Sequence, residues 1–151
     1  MNKLRVFEAF AGYGSQSIAL RNLGVDYEVV AISEIDKYAI QAYYTLHNKD
    51  IPNLGDICKI KVEDIPEHDL FTYSFPCQDL SVAGKQAGLS KGTRSGLLYE
   101  CEKIIEHCRP KYLLLENVKN LVGKKFKPQF DEWLDYLESL GYTNYWKVLN
   151  C

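Results

Sequence analysis

The chain has 151 residues, of which 46% are hydrophobic and 25% charged, and its formal net charge is −2. This length fits one domain, residues 1–151, and the composition excludes an extended disordered protein. No apolar run approaches the roughly 20 residues that span a bilayer, and the first residues lack a signal-peptide pattern. The five cysteines form no Cys-x-x-Cys pair. We therefore expect a cytoplasmic protein with reduced thiols, no membrane segment and no metal site.

Strand and helix patterns alternate along the chain. Short apolar runs predict strands over residues 5–10, 27–33, 54–57, 70–74, 112–115 and 142–149. Apolar residues at helical spacing predict helices after the first two strands, near residue 97 and near residue 130. This alternation is typical of an α/β fold with a mostly parallel sheet and helices on both faces. Sites in such sheets lie beyond the carboxyl ends of the strands.

Each predicted helix has one apolar face and a recognisable end. Asp36 is the expected N-cap of the second helix, and Gly24 and Gly141 are expected to end the first and the last. The residues expected to be buried are Ile18, Ala19, Leu20 and Leu23, then Tyr38, Ala39, Ala42, Tyr43 and Leu46, then Cys101 and Cys108, and finally Phe130, Trp133, Leu134, Leu137 and Leu140.

A glycine turn follows the first predicted strand. Gly12 and Gly14 stand where glycine lets the backbone approach a ligand and point free N–H groups at it. Glu34 lies 20 residues further on, at the end of the second strand, where dinucleotide-binding folds contact ribose hydroxyls. Ser17 replaces the third glycine of the nicotinamide-binding fingerprint. A nucleotide or S-adenosylmethionine (AdoMet) site and a purely structural turn both stay open at this point.

Two further segments carry residues of chemical interest. Cys77 follows Pro76 just after the strand at 70–74, and a thiol held in this way can act as a nucleophile if its thiolate is stabilised. Glu116 follows the apolar strand at 112–115, where poor solvation would favour a protonated carboxyl and a role as an acid or hydrogen-bond donor. Taken singly, a buried structural cysteine and a capping carboxylate explain the two positions as well.

The order of the segments is more specific than any one of them. The chain contains, in sequence, Phe-Ala-Gly-x-Gly-Ser at 10–15, Glu34, Gly-Asp-Ile at 55–57, Phe-Pro-Cys-Gln at 75–78 and Glu-Asn-Val-Lys at 116–119. This series resembles the ordered motifs of the cytosine-5 DNA methyltransferases of the bacterial restriction-modification or phage type. The resemblance runs from Arg5 to the last residue. It implies a Rossmann-like AdoMet-dependent methyltransferase fold that is incomplete at its C-terminus.

The resemblance assigns roles to individual residues. Cys77 would be the nucleophile and Glu116 would hold the cytosine ring, while Pro76, Gln78 and Asn117 complete the catalytic motifs. Glu34 would bind the ribose hydroxyls and Asp56 the adenine amino group of AdoMet. The full set of expected cofactor contacts is Phe10, Gly12, Gly14, Ser15, Glu34, Ile35, Asp56, Ile57, Phe75 and Leu97, and the expected DNA contacts are Ser81, Lys85 and Arg94. The family often has an aromatic residue in place of Ile35, so stacking on adenine would be weaker here.

Basic residues gather in two loop-like stretches. Residues 79–96 contain Lys85, Lys91 and Arg94 against one acidic residue, and residues 119–127 contain four lysines and no acidic residue. Such stretches can follow a phosphate backbone, although a solvated loop has the same composition. The resemblance implies that the substrate is duplex DNA whose target cytosine is flipped out of the helix. The loop at 76–96 would close behind the flipped base.

Several parts that the family normally has do not occur in the 151 residues. A Gln-x-Arg-x-Arg segment, a target-recognition region and a closing helix usually follow the matched motifs. We therefore expect a C-terminal subunit or a missing segment to supply them, and we expect the chain to be inactive alone. Two other functions stay open: a non-catalytic AdoMet-binding or regulatory module, and an RNA cytosine-5 methyltransferase, a branch that tends to have Pro-Pro-Cys instead of Phe-Pro-Cys.

Overall fold

The computed structural model describes residues 3–76 and 96–150, and its strands and helices alternate as predicted. The strands are β1 (Leu4–Ala9), β2 (Tyr27–Ser33), β3 (Leu70–Tyr73) and β4 (Tyr112–Leu114). The helices are α1 (Ser15–Asn22), α2 (Lys37–Leu46), α3 (Gly96–Cys108) and α4 (Lys127–Ser139). Short 3₁₀ turns occupy Ile57–Lys59, Val62–Asp64 and Lys119–Val122.

The strands form one parallel sheet in the order β2-β1-β3-β4. The last four residues of the central strand β1 are all buried, as expected of a parallel strand covered on both faces. Ala9, which ends β1, is opposite Ser33 of β2 and Tyr73 of β3. The carboxyl ends of these three strands are therefore level, and the turns that follow them begin at one edge of the sheet.

The predicted strand at 54–57 is wrong. The chain runs beside the outer edge of β2 at a single parallel bridge between Ile32 and Asn53. Gly55 then turns the backbone with a φ of +77°, and Asp56 caps the 3₁₀ turn that begins at Ile57. An extended run cannot continue through these two features.

Because parallel crossovers are right-handed, α1 and α2 lie on one face of the sheet and α3 on the other.

The first two helices have the predicted boundaries but narrower buried faces. Asp36 caps α2, and its Oδ1 accepts the N–H groups of Tyr38 (2.9 Å) and Ala39 (2.8 Å). Tyr43 is the residue of α2 that is buried, and Ser17 is the one in α1. Each of these short helices therefore has one buried residue, and about one turn of each helix packs on the sheet. The predicted core residues that are exposed instead are Ala19, Leu23, Tyr38 and Leu46.

The last two helices agree better with the sequence. In α3, Cys101 is buried and Cys108 half-buried, and burial raises the pKa of both thiols. In α4, the residues Phe130, Trp133 and Leu137 are buried, and Leu134 and Leu140 are half-buried. No helix within residues 3–76 and 96–150 is long and apolar enough to cross a membrane.

By its contacts the chain divides into two compact units. Among the described residues, the first unit contains 3–75 and 100–116, and with them the sheet; the second contains 76, 96–99 and 117–150. The predicted final strand at 142–149 is wrong, since residues 142–150 contain no strand. This segment packs on α4 of its own unit: Asn144 donates to the Leu134 carbonyl (2.9 Å), and the Trp146 ring meets Phe130 edge-on at 5.7 Å.

His68 gives the sheet a pH-dependent stability. Its ring is buried against Phe7, and its Nδ1 lies 2.8 Å from the Pro66 carbonyl, so Nδ1 must carry the proton. Burial lowers the pKa of His68 below its ordinary 6.5. Folding therefore favours the neutral ring. Below pH 6.5 the unfolded chain takes up a proton more readily than the folded chain does, so the free energy of unfolding falls as the pH decreases.

We expect His68→Phe to reduce this loss. Between pH 7.5 and 5.5 the free energy of unfolding of the wild type should fall by about 1 kcal/mol more than that of the variant. Urea denaturation at the two pH values measures the difference. His107→Gln is the matched control, because His107 is exposed on α3. An equal pH dependence in wild type and His68→Phe would contradict the assignment.

Candidate active site

The turn after β1 has an unusual backbone. Phe10, Gly12 and Gly14 have positive φ values of 54°, 55° and 79°, a region that residues with a side chain rarely adopt. Phe10 therefore carries local strain that the surrounding structure must offset. The turn is held by the hydrogen bond from the Gly14 N–H to the Ala11 carbonyl (2.8 Å), and α1 begins directly afterwards at Ser15.

Glu34 connects this turn to the end of β2. Its Oε2 accepts the N–H of Gly12 at 2.8 Å, and its Oε1 accepts the N–H groups of Ile35 (2.8 Å) and Asp36 (2.9 Å). Each carboxylate oxygen can accept about two hydrogen bonds. Within the described residues Oε2 accepts one hydrogen bond, so it has the capacity to accept a second from a ligand hydroxyl.

A second loop lies beside Glu34. Asn53 bonds to the backbone of Glu34, and the loop continues through Gly55 to Asp56 and Ile57. Oδ1 of Asp56 accepts the N–H of Cys58 at 3.0 Å, while Ile57 is buried. Ile35, which the resemblance places against adenine, is 73% exposed. A Cβ atom on Gly12 or Gly55 would meet nothing within 4 Å, so there is open space above both turns.

Ser74 joins the other two segments. Its Oγ accepts a hydrogen bond from Gln16 Nε2 (3.1 Å) at the start of α1 and one from the Glu116 N–H (3.3 Å) after β4. Phe75, the next residue, is buried. The structure thus connects the start of α1, which follows the glycine turn, with Ser74 after β3 and Glu116 after β4. Gln16, Asn53 and Ser74 were not predicted as site residues; a polar residue at the end of a buried strand was the available signal for Ser74.

The expectation that Glu116 is poorly solvated is wrong. Its side chain is exposed, because β4 is the edge strand of the sheet and its outer residues face solvent. Its backbone is nevertheless fixed through Ser74. An exposed carboxyl on a fixed backbone can meet a substrate directly.

A buried polar pair lies beneath the glycine turn. Glu8 of β1 is fully buried, and its carboxyl accepts the Tyr43 hydroxyl at 2.5 Å. Burial raises the pKa of Glu8, and burial together with the neighbouring Glu8 carboxyl raises the pKa of Tyr43. The Tyr43 ring stacks on His47 at 4.4 Å, and His47 Nε2 lies 2.9 Å from the Tyr13 carbonyl. Sequence reasoning placed Tyr43 in the core but did not identify Glu8 or His47.

Three further predicted site residues belong to the second compact unit: Leu97 and Asn117 are half-buried, and Pro76 is exposed. Residues 3–76 and 96–150 contain no group of three side chains that could hold a metal. The residues Cys77, Gln78, Ser81, Lys85 and Arg94 lie outside the described ranges.

Known proteins resemble this chain along nearly all of its length. A family model described as C-5 cytosine-specific DNA methylase matches residues 4–151. The type II methyltransferase M2.ScrFI of Lactococcus lactis subsp. cremoris is 45% identical, over 97% of this chain and 56% of that protein. The orphan methyltransferase M.Rho11sI of Bacillus phage rho11s is 40% identical, over 99% of this chain and 30% of that protein.

A solved structure supports the fold. The crystal structure of the S. pombe Dnmt2 methyltransferase matches with a TM-score of 0.68 and 24% identity, over 89% of this chain and 41% of that one. The predicted Rossmann-like methyltransferase fold is confirmed by this likeness. The chain spans about half or less of the length of the relatives that it matches.

The two turn glycines should differ in their tolerance of alanine. Both have positive φ, so Gly12→Ala should cost about 1 kcal/mol of unfolding free energy. A Cβ on Gly14 would also collide with His47 Nε2 and lie 2.7 Å from Tyr43 Cε2. Gly14→Ala should therefore cost about 3 kcal/mol, because the Tyr43 ring that bonds Glu8 must move. Urea denaturation of the two variants measures the difference, and equal losses would refute the packing argument.

Proposed function

This chain belongs to the family of C-5 cytosine-specific DNA methylases, and we propose that it is the cofactor-binding and catalytic half of a DNA cytosine-5 methyltransferase. The cofactor of this family is AdoMet. The observation that supports the proposal is a pair of hydrogen-bonded groups at the carboxyl ends of the strands: Gly12 with Glu34, and Gln16 and Glu116 with Ser74. That edge is where parallel α/β sheets bind their ligands.

The glycine turn and the loop at 55–57 would hold the cofactor. Glu34 Oε2 has an acceptor position for a ribose hydroxyl, and the space above Gly12 and Gly55 lets a ligand approach the backbone. AdoMet supplies an electrophilic methyl group when it is bound. The contacts that we assign to it are Phe10, Gly12, Gly14, Ser15, Glu34, Ile35, Asp56, Ile57, Phe75 and Leu97.

Cys77 would carry out the covalent step. Cytosine C5 is a poor nucleophile until a group adds at C6, and a cysteine thiolate can make that bond. Glu116 would hydrogen-bond to N3 and the exocyclic amine and offset the charge on the ring. The C5 carbon would then take the methyl group, and the sulfonium would leave as the neutral thioether of S-adenosylhomocysteine. Loss of the C5 proton to a base would return its electron pair to the ring and expel the Cys77 thiolate from C6. Cys77 follows Ser74 by three residues in the sequence, and Ser74 bonds to the Glu116 backbone.

The neighbouring residues would assist this chemistry. Pro76 and Gln78 flank the nucleophile, and Asn117 would position the loop that contains it. A cytosine inside a duplex cannot reach such a site, so the base must be flipped out. The remaining proposed DNA contacts are Ser81, Lys85 and Arg94, which would bind phosphate groups.

Target recognition would come from elsewhere. The chain corresponds to 56% of the Lactococcus relative and 30% of the phage relative. We infer that a Gln-x-Arg-x-Arg segment and a target-recognition region, on a partner chain or on further sequence, complete the enzyme.

Trapping with a fluorinated base tests the mechanism. A chimera in which this chain replaces the matching part of the Lactococcus relative should form a covalent adduct with duplex DNA that contains 5-fluorocytosine. Fluorine at C5 cannot leave as the proton does, so the complex persists. Cys77→Ser should abolish the adduct, and Glu116→Gln should slow its formation about a hundredfold. Denaturing gels measure the amount and mass spectrometry locates the modified residue.

The controls are two other cysteines and a second nucleic acid. Cys58→Ser and Cys108→Ser should leave trapping unchanged, because Cys58 is exposed and Cys108 is half-buried on α3. An adduct on a cysteine other than Cys77 would refute the assignment. An adduct with tRNA that contains 5-fluorocytosine, without an adduct with DNA, would show that the substrate is RNA and not DNA. AdoMet binding without any adduct would favour the non-catalytic module.

A further inference from the structure

Beyond the bridge at Asn53, the outer edge of β2 has no neighbouring strand within the described residues. Up to that point, Ile32 makes two backbone hydrogen bonds with the passing chain: its N–H donates to the Pro52 carbonyl (2.9 Å), and its carbonyl accepts the Leu54 N–H (2.8 Å). Glu34 comes two residues later and lies past the end of this short ladder. Its peptide groups must find other partners, because unpaired backbone groups are costly where water is excluded.

The side chain of Asn53 supplies those partners. Its Oδ1 accepts the Glu34 N–H at 3.1 Å, and its Nδ2 donates to the Glu34 carbonyl at 3.0 Å. The side-chain amide of Asn53 thus takes the place of a backbone peptide group. It extends the hydrogen-bond ladder at the outer edge of β2 as far as Glu34. Oδ1 also accepts the Gly55 N–H at 3.0 Å. With two N–H groups facing one side of the amide and a carbonyl facing the other, only this orientation of the amide satisfies all three contacts.

These three bonds connect two loops with different ligand roles. On one side they fix the backbone of Glu34, whose carboxylate reaches Gly12. On the other side they fix Gly55, and Ser33 adds a bond from its Oγ to the Gly55 carbonyl at 2.7 Å. The Asn53 side chain thus bonds both the Glu34 backbone and the Gly55 N–H, and together with Ser33 it sets the spacing between the Glu34 carboxylate and the loop that begins at Gly55.

We propose that Asn53 is a positioning residue for the nucleoside part of the cofactor: it fixes the Glu34 carboxylate for the ribose hydroxyls relative to the Gly55–Asp56 loop for the adenine. This inference rests on the proposed function. Asn53 touches no ligand atom in this role and acts through Glu34. A residue that only stabilised the fold would change the affinity for every ligand of this edge by the same factor, whereas Asn53 should govern the preference for ribose hydroxyls.

The first experiment needs no ligand. In Asn53→Ala and Asn53→Asp the Glu34 carboxylate should lose its fixed approach to Gly12, since the alanine removes all three bonds and the aspartate removes the donor to the Glu34 carbonyl. Hydrogen exchange of the Gly12 amide, followed by NMR, should become about tenfold faster or more. Asn48→Ala is the matched control, because Asn48 makes an exposed local bond to the Asp50 N–H in the same connection. Unchanged Gly12 exchange in both Asn53 variants would overturn the proposal.

The second experiment measures ligand preference. Calorimetry gives the affinities for S-adenosylhomocysteine and for its analogue without the two ribose hydroxyls. The wild type and Asn48→Ala should prefer the natural ligand by about tenfold, which corresponds to one charge-assisted hydrogen bond. Asn53→Ala and Glu34→Ala should both reduce this ratio toward one, and the double variant should lose no more than Glu34→Ala alone. A ratio that stays at the wild-type value in Asn53→Ala would overturn the proposal.

The two experiments test the positioning role of Asn53 and the proposed cofactor site separately. If the wild type bound neither ligand, or bound both equally, the ribose role of Glu34 would be wrong and the proposed cofactor site would fail. The Gly12 exchange would still report whether Asn53 fixes the Glu34 carboxylate. If instead the wild type showed the ratio and the exchange stayed normal in the Asn53 variants, the cofactor site would stand and Asn53 would be removed from it.

Discussion

The hydrogen bond from the Gly12 N–H to the Glu34 carboxylate is the contact on which the candidate site depends. It joins the turns that follow β1 and β2. Other contacts must fix the backbone of both turns for this hydrogen bond to form. Gly12 reaches it through a backbone conformation that suits glycine, and Glu34 is held by Asn53. A carboxylate that already accepts three N–H groups is oriented before a ligand arrives, so little rotational freedom is lost on binding.

The glycine turn after β1 packs on residues of the protein core. A buried carboxyl in a central strand is costly unless donors satisfy it, and the Tyr43 hydroxyl donates to one of the two oxygens of Glu8, Oε2. The Tyr43 ring also lies directly under Gly14, where no larger residue fits. The Tyr43 side chain, which donates a hydrogen bond to the buried Glu8, therefore also limits how closely the backbone at Gly14 can approach the core. A substitution in α2 can thus alter the ligand edge although no residue of this helix was predicted to belong to it.

The sequence predicted the parts of the fold that depend on continuous apolar runs. The strand β2 contains the apolar run at residues 29–32, and a cap such as Asp36 acts on its own neighbours, so both can be predicted from local sequence. The wrong strands at 54–57 and 142–149 mix apolar with polar residues and glycine, and their backbone partners are decided by tertiary contacts. Asn53, Glu8 and Ser74 were missed for that reason, since each acts on a residue distant in the sequence. The role of Cys77 came from the motif series and stays a prediction.

The distribution of charge agrees with two ligands of opposite sign. AdoMet carries a positive sulfonium, and the edge proposed for it contains the carboxylates of Glu34, Asp56 and Glu116. In the second compact unit the stretch at 119–127 contains four lysines; Lys127 is paired with Asp131, and the other three are exposed. The net charge of −2 is the sum of +6 in the segments 79–96 and 119–127 and −8 over the rest of the chain. Carboxylates attract a sulfonium and lysines attract phosphate, so each of these charged segments favours one of the two proposed ligands.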